Sequence, residues 1–193
     1  MLQSLLTLDG NILLWIQNNL RSDVLTPIVV FITRLGDVGF IWIVGILILS
    51  VRKQTRKTGV MTFIALFLSA LAVSVVLKNV VARVRPYEVV QGLTSLIGAQ
   101  KDYSFPSGHT AGSFAAAVVM FKMLPKKIGV PAVVLAFLIG LSRLYVGVHY
   151  LSDVIFGALV GTVIAIIVVA IEKRIFSTHG KKTGNYSEQL QSS

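Results

Sequence analysis

The chain has 193 residues, 54% hydrophobic and 13% charged, with a mean hydropathy of +0.79. Soluble domains carry about a quarter charged residues, so the composition excludes an ordinary soluble globule and indicates an integral membrane protein. The absence of cysteine excludes disulfides and thiolate–metal sites. The formal charge of +10 is gathered in short clusters between apolar runs, the pattern that fixes membrane orientation, so nucleic acid is not an expected partner.

In chain order, the N-terminus lacks a basic leader, and Asp9 with Gln17-Asn18-Asn19 interrupts its apolar stretch, so no cleavable signal peptide is expected. "LDGNILLWIQNNL" reads as an amphipathic helix lying in the membrane interface with Trp15 as anchor. Residues 24–33 admit two readings: a short first span that turns at Gly36-Asp37, or the start of one long tilted span over 24–51 that carries Arg34 and Asp37. A charge in mid-bilayer is costly, which favours the turn. The clear apolar runs are 38–51, 60–77, 110–121, 128–142 and 154–171. A span needs about 20 mostly apolar residues, so the shorter runs draw on their flanks. The expected fold is all-α: a polytopic membrane bundle of about six transmembrane helices behind an interfacial helix, with residues 1–176 as the membrane domain. Residues 177–193, with His179, are expected to be a polar, disordered tail.

The basic clusters Arg52, Lys53, Arg56 and Lys57, then Lys122, Lys126 and Lys127, then Lys173, Arg174, Lys181 and Lys182 fall in alternate connections. The positive-inside rule makes them cytoplasmic, the C-terminus included. The end of the third span near Lys78, the start of the fourth near Pro106, the end of the fifth near Arg143 and the start of the sixth near His149 then share the non-cytoplasmic face.

Three polar stretches meet there. In "KNVVARVRP" Lys78 and Arg85 are seven apart, two helical turns on one face, and Pro86 marks a helix end. Taken alone, these are ordinary snorkelling cations. In "FPSGHT" Pro106 suits a first helical turn. Ser107 and Gly108 stand at a helix start whose free N–H groups attract phosphate, and His109 follows. In "SRLYVGVHYLSD" His149 and Asp153 are four apart, so the carboxylate reaches one ring nitrogen and leaves the other free to attack. Arg143 offers a fork that suits phosphate oxygens. Three cations, two histidines, a carboxylate and a helix N-terminus suit a phosphate monoester of about −1.5 to −2 charges, with one histidine attacking and the other serving the leaving oxygen.

These stretches resemble the type 2 phosphatidic-acid phosphatase family, whose signature is K-x6-RP, PSGH and SR-x5-H-x3-D. The matches run from Lys78 to Pro86, Pro106 to His109 and Ser142 to Asp153. The resemblance implies a hydrolase with His149 as the nucleophile that forms a phosphohistidine, Asp153 orienting it, and His109 as general acid and later base. It also implies that Lys78, Arg85, Ser107, Gly108 and Arg143 hold the phosphate, with no divalent metal and no cofactor. Soluble, longer haloperoxidase relatives are a poor match. The expected substrate is a lipid phosphate entering from the bilayer of a bacterial plasma membrane: undecaprenyl diphosphate, phosphatidylglycerol phosphate or phosphatidic acid. The alternatives are a non-hydrolytic lipid-phosphate carrier and a phosphotransferase using the same site. Lys101, Asp102 and Tyr103 of the 87–104 loop are placed near the headgroup.

Overall fold

The structure, a computed structural model, describes the backbone of residues 2–191 and the side chains of residues 7–175. The elements are α1 (Leu2–Leu20), α2 (Leu25–Leu35), a 3-10 turn (Asp37–Gly39), α3 (Phe40–Val51), α4 (Lys53–Ala70), a π-helical turn (Leu71–Leu77), α5 (Lys78–Val81), α6 (Pro86–Val89), α7 (Gly108–Met123), α8 (Lys126–Tyr145) and α9 (Leu151–Gln191). The described residues contain no strand, in agreement with the all-α expectation. The side chains of the tail expected from Ser177, including His179, lie outside the described residues.

Small residues put α7 at the centre. Ala111, Ala115, Ala116 and Ala117 are fully buried, and α7 packs against α4, α8 and α9 together. One side meets Trp42, Ala136 and Ile139, and the other meets Ala65, Ala165, Val168 and Val169. Trp42 donates its indole N–H to Ser113 Oγ at 2.9 Å, which satisfies both groups inside the bundle. Lipid tails are as apolar as leucine, so close backbone approach does much of the work of holding such helices together. The "GALVG" run of α9 permits it. A Cβ on Gly161 would stand 2.1 Å from the carbonyl oxygen of Ala111, and one on Gly157 would stand 2.7 Å from that of Ser107. Large apolar side chains such as Phe63, Phe67, Phe137, Leu159 and Ile167 face outward, as a lipid-facing surface requires.

Three segments are long and apolar enough to cross a membrane: Lys53–Val89, Lys126–Tyr145 and Leu151–Ile175. The pair Leu25–Leu35 and Asp37–Val51 makes a fourth if counted as one bent span. A turn does fall at Gly36-Asp37, but it bends the chain by 53° rather than reversing it, so α2 and α3 do not form two antiparallel crossings. α7 has 16 residues, about 24 Å at 1.5 Å per residue, short of the ~30 Å hydrocarbon core. Helix length and hydropathy thus give fewer spans than the six expected.

One end of the bundle is closed by α1. Leu13 packs with Leu93, Leu144, Tyr150 and Val154, while Arg21 donates to the carbonyls of Tyr145 at 3.1 Å and Thr94 at 2.8 Å. Trp15 stays exposed. Towards the other end, Lys57 pairs with Glu172 and ties the start of α4 to α9.

Candidate active site

Local backbone choices aim the side chains. Ala82, at φ +47°, ends α5, and the chain runs extended to Pro86, which begins α6. Arg85 takes φ −68° and ψ 145°, the region a following proline imposes. Residues two apart in a regular strand share a face, yet Arg83 reaches Asp9 and Asp153 while Arg85 reaches Asp102 and His149, so this stretch is not a regular strand. Ser107 caps α7 by accepting from the Thr110 hydroxyl at 2.9 Å and, more distantly, from the Thr110 N–H at 3.4 Å. Arg143 stands in the last turn of α8, and His149 in the connection to α9.

These elements surround a cavity of about 340 Å³. Lys78, Arg85, Gly108, His109, Arg143 and His149 line it, so six of the eight sequence-predicted residues share one space. Ser107 and Asp153 lie behind that lining, fully buried, and the Ser107 N–H donates to the Asp153 carbonyl at 3.1 Å. Gly108 leaves its side of the cavity open, since a Cβ there would meet nothing nearer than Val73 at 3.8 Å. Trp42, Leu66 and Ala70 give the cavity an apolar wall.

The tautomer of His149 follows from its neighbours. Its Nε2 lies 3.0 Å from Arg85 Nη1, and a guanidinium has no acceptor, so Nε2 must be the accepting nitrogen. The proton is then on Nδ1, which lies 3.4 Å from Asp153 Oδ2 but makes no hydrogen bond. Asp153 already accepts three hydrogen bonds. Its Oδ2 takes the Tyr150 N–H at 3.0 Å and the Ser104 hydroxyl, and its Oδ1 takes Arg83 Nη1 at 2.6 Å. Burial, followed by the charges of Arg85, Arg143 and Lys78, pushes the His149 pKa well below its ordinary 6.5. The ring is therefore neutral, and its Nε2 lone pair accepts the Arg85 N–H at the wall of a cationic cavity.

The cations are buried with few anions. Arg143 donates Nη1 to Thr33 Oγ1 at 2.7 Å, but its Nε is buried without a partner, and an unsatisfied buried donor of a charged group is costly. Asp102 lays one carboxylate oxygen on Lys78 Nζ and the other on Arg85 Nη2 at 2.6 Å. Burial raises its pKa, but Lys78 and Arg85 outweigh that and hold it at about 2. Asp102 thus occupies the cations that an anionic ligand would use.

Five contributors escape a reading by signature: Arg83, Asp9, Ser104, Asp37 and the ion-pairing role of Asp102. Arg83 binds Asp153, Ser152 Oγ at 2.7 Å and Asp9 Oδ2 at 3.0 Å. Its sequence signal is a second arginine two places from Arg85 in an extended stretch. The signal of Asp9 is a lone carboxylate in an apolar helix. Asp37 Oδ1 lies 2.8 Å from His109 Nε2.

Residues 59–177 match the PAP2 superfamily. An undecaprenyl-diphosphatase of Sulfolobus acidocaldarius is 36% identical over 77% of this chain and 71% of its own length. The undecaprenyl-diphosphatase BcrC of Bacillus subtilis is 35% identical over 75% of this chain and 72% of its own. The crystal structure of a transmembrane PAP2-type phosphatidylglycerolphosphate phosphatase from Bacillus subtilis superposes with a TM-score of 0.75 at 27% identity, over 89% of this chain and 88% of that one. With helical bundle, signature and relatives in accord, the chain belongs to the PAP2 superfamily and is a membrane phosphatase, a hydrolase.

Proposed function

We propose that the enzyme hydrolyses a lipid phosphate through a phosphohistidine on His149, without a metal, at the outer face of the plasma membrane. The observation that carries the mechanism is the tautomer: a neutral His149 with Nε2 turned to the cations. Arg85 Nη1 turns from Nε2 to a phosphate oxygen, and the freed Nε2 lone pair attacks phosphorus while His109 gives a proton to the leaving oxygen, which departs as the alcohol or, from a diphosphate, as the lipid monophosphate. His109, now neutral, takes a proton from water. The resulting hydroxide oxygen displaces Nε2 from phosphorus, and phosphate leaves. Asp153 holds the Nδ1 proton side of His149 throughout. Lys78, Arg85, Arg143 and the start of α7 at Ser107 and Gly108 stabilise the charge on the equatorial oxygens, the task a metal would otherwise perform.

Two features support a lipid substrate: the apolar wall of Trp42, Leu66 and Ala70 beside the cations, and the undecaprenyl-diphosphatase and phosphatidylglycerolphosphate phosphatase relatives. We therefore rank undecaprenyl diphosphate and phosphatidylglycerol phosphate ahead of phosphatidic acid. The outer-face assignment is supported by charge. α4, α8 and α9 each run between the cavity end and the opposite end, so Lys53, Lys126 and Lys173 fall on the side away from the cavity, and basic clusters stay inside. Purified enzyme is expected to release phosphate from these lipids in EDTA and to be inhibited by orthovanadate. A requirement for added divalent metal would overturn the metal-free mechanism.

A further inference from the structure

The bent connection between α2 and α3 belongs to none of the three signature stretches, yet it touches the second histidine. Asp37 Oδ1 lies 2.8 Å from His109 Nε2. The backbone that carries it is unusual: Val38 has φ +52° and Gly39 has φ +71°. A left-handed conformation at a β-branched residue is a genuine outlier, and such strain gathers at functional sites. Gly36 fits the same picture, since a Cβ there would stand 2.8 Å from His109 Cδ2 and 2.9 Å from Ile139 Cγ2. The turn is thus shaped around the imidazole. Among the described residues nothing hydrogen-bonds His109 Nδ1, and it is not a buried unpartnered atom, so it is the ring nitrogen left open.

We propose that Asp37 is a positioning residue for the acid–base histidine: its carboxylate holds Nε2–H of His109 and leaves Nδ1 to carry the proton to the leaving oxygen. No other carboxylate is hydrogen-bonded to this ring among the described residues. The inference rests on the reading of His109 as general acid, and it assigns to the α2–α3 turn a task in the chemistry rather than in packing alone.

The test compares two leaving groups in detergent-solubilised enzyme. An alkyl phosphate such as phosphatidic acid needs its leaving oxygen protonated, whereas p-nitrophenolate leaves without a proton. General-acid assistance is worth about 10²–10⁴-fold, so Asp37→Asn is expected to lower kcat on phosphatidic acid at least about 10-fold and on p-nitrophenyl phosphate less than about 3-fold. Asp37→Glu, which keeps a carboxylate, is expected to recover part of the alkyl turnover. Equal losses on both substrates, or no loss, would overturn the proposal. His109→Ala separates the two levels: if it shows no leaving-group dependence, the general-acid reading itself fails, and if it does while Asp37→Asn does not, only the role of Asp37 fails. Should Asp37→Asn not fold, Gly36→Ala, which displaces the ring, is read on the same two substrates by the same criterion.

Discussion

Arg83 donates Nη1 to Asp153 Oδ1 at 2.6 Å, and the carboxylate it meets is wholly shielded from solvent. Removing one partner of such a pair leaves an uncompensated buried charge, at a cost of about 3–5 kcal/mol. Arg83→Gln is expected to lower the melting temperature in detergent and to reduce kcat, because Asp153 then loses the group that aligns it beneath His149. Unchanged stability together with unchanged kcat would contradict this reading of the network.

Asp102 holds Lys78 and Arg85, the two cations that the proposed mechanism gives to phosphate. Asp102→Asn is expected to tighten inhibition by orthovanadate about fivefold, equivalent to about 1 kcal/mol for a half-exposed ion pair. The same carboxylate makes an acid-stability prediction. Its folded pKa of about 2 lies below the ordinary 3.8, so its contribution is complete above pH 3.8 and is lost as pH falls towards 2. Acid unfolding of Asp102→Asn, followed by circular dichroism, is expected to lack that component.

The pH profile reports on His149. Because burial and the cations hold its pKa well below 6.5, kcat/KM is expected to persist below pH 6.5 before its acidic limb begins. Arg85→Met removes a cation that disfavours imidazolium, so the pKa rises and the acidic limb moves to higher pH, whatever the loss in absolute rate. A limb that stays in place would show that Arg85 does not act on the ring charge.

Gly161 sets the approach of α9 to α7. Overpacking a filled core costs about 1–3 kcal/mol, and a methyl placed 2.1 Å from the backbone oxygen of Ala111 has no flexible side chain to displace. Gly161→Ala is expected to destabilise the fold by at least that much in a thermal melt, and to lower activity because Ser107 and His109 ride on α7.

Hydropathy made the all-α bundle legible, and the signature stretches made Lys78, Arg85, His149 and Asp153 legible, but the helical spacing expected for them fails: the chain leaves the helix at Ala82 and is extended at Arg85, and His149 stands in the connection before α9. The connection after α2 was harder. Its direction depends on a left-handed valine at position 38, and a β-branched residue announces no such turn, so the number of crossings did not follow from apolar runs. Arg83, Asp9 and Asp37 were missed for a different reason. Arg83 lies 74 residues from Asp9, and Asp37 lies 72 from His109, so only the folded bundle brings them together. The close packing of the "GALVG" run was also missed, because only the position of Ala111 shows which helix it meets.

The proposed mechanism requires a covalent bond from His149 Nε2 to phosphorus. Rapid mixing with ³²P-labelled lipid phosphate, an alkaline quench that preserves phosphohistidine, and peptide mapping measure it directly. Label is expected on the peptide containing His149, formed within one turnover and absent in His149→Ala, which should be folded but inactive. Label confined to another residue, or hydrolysis at the normal rate by His149→Ala, would contradict the account.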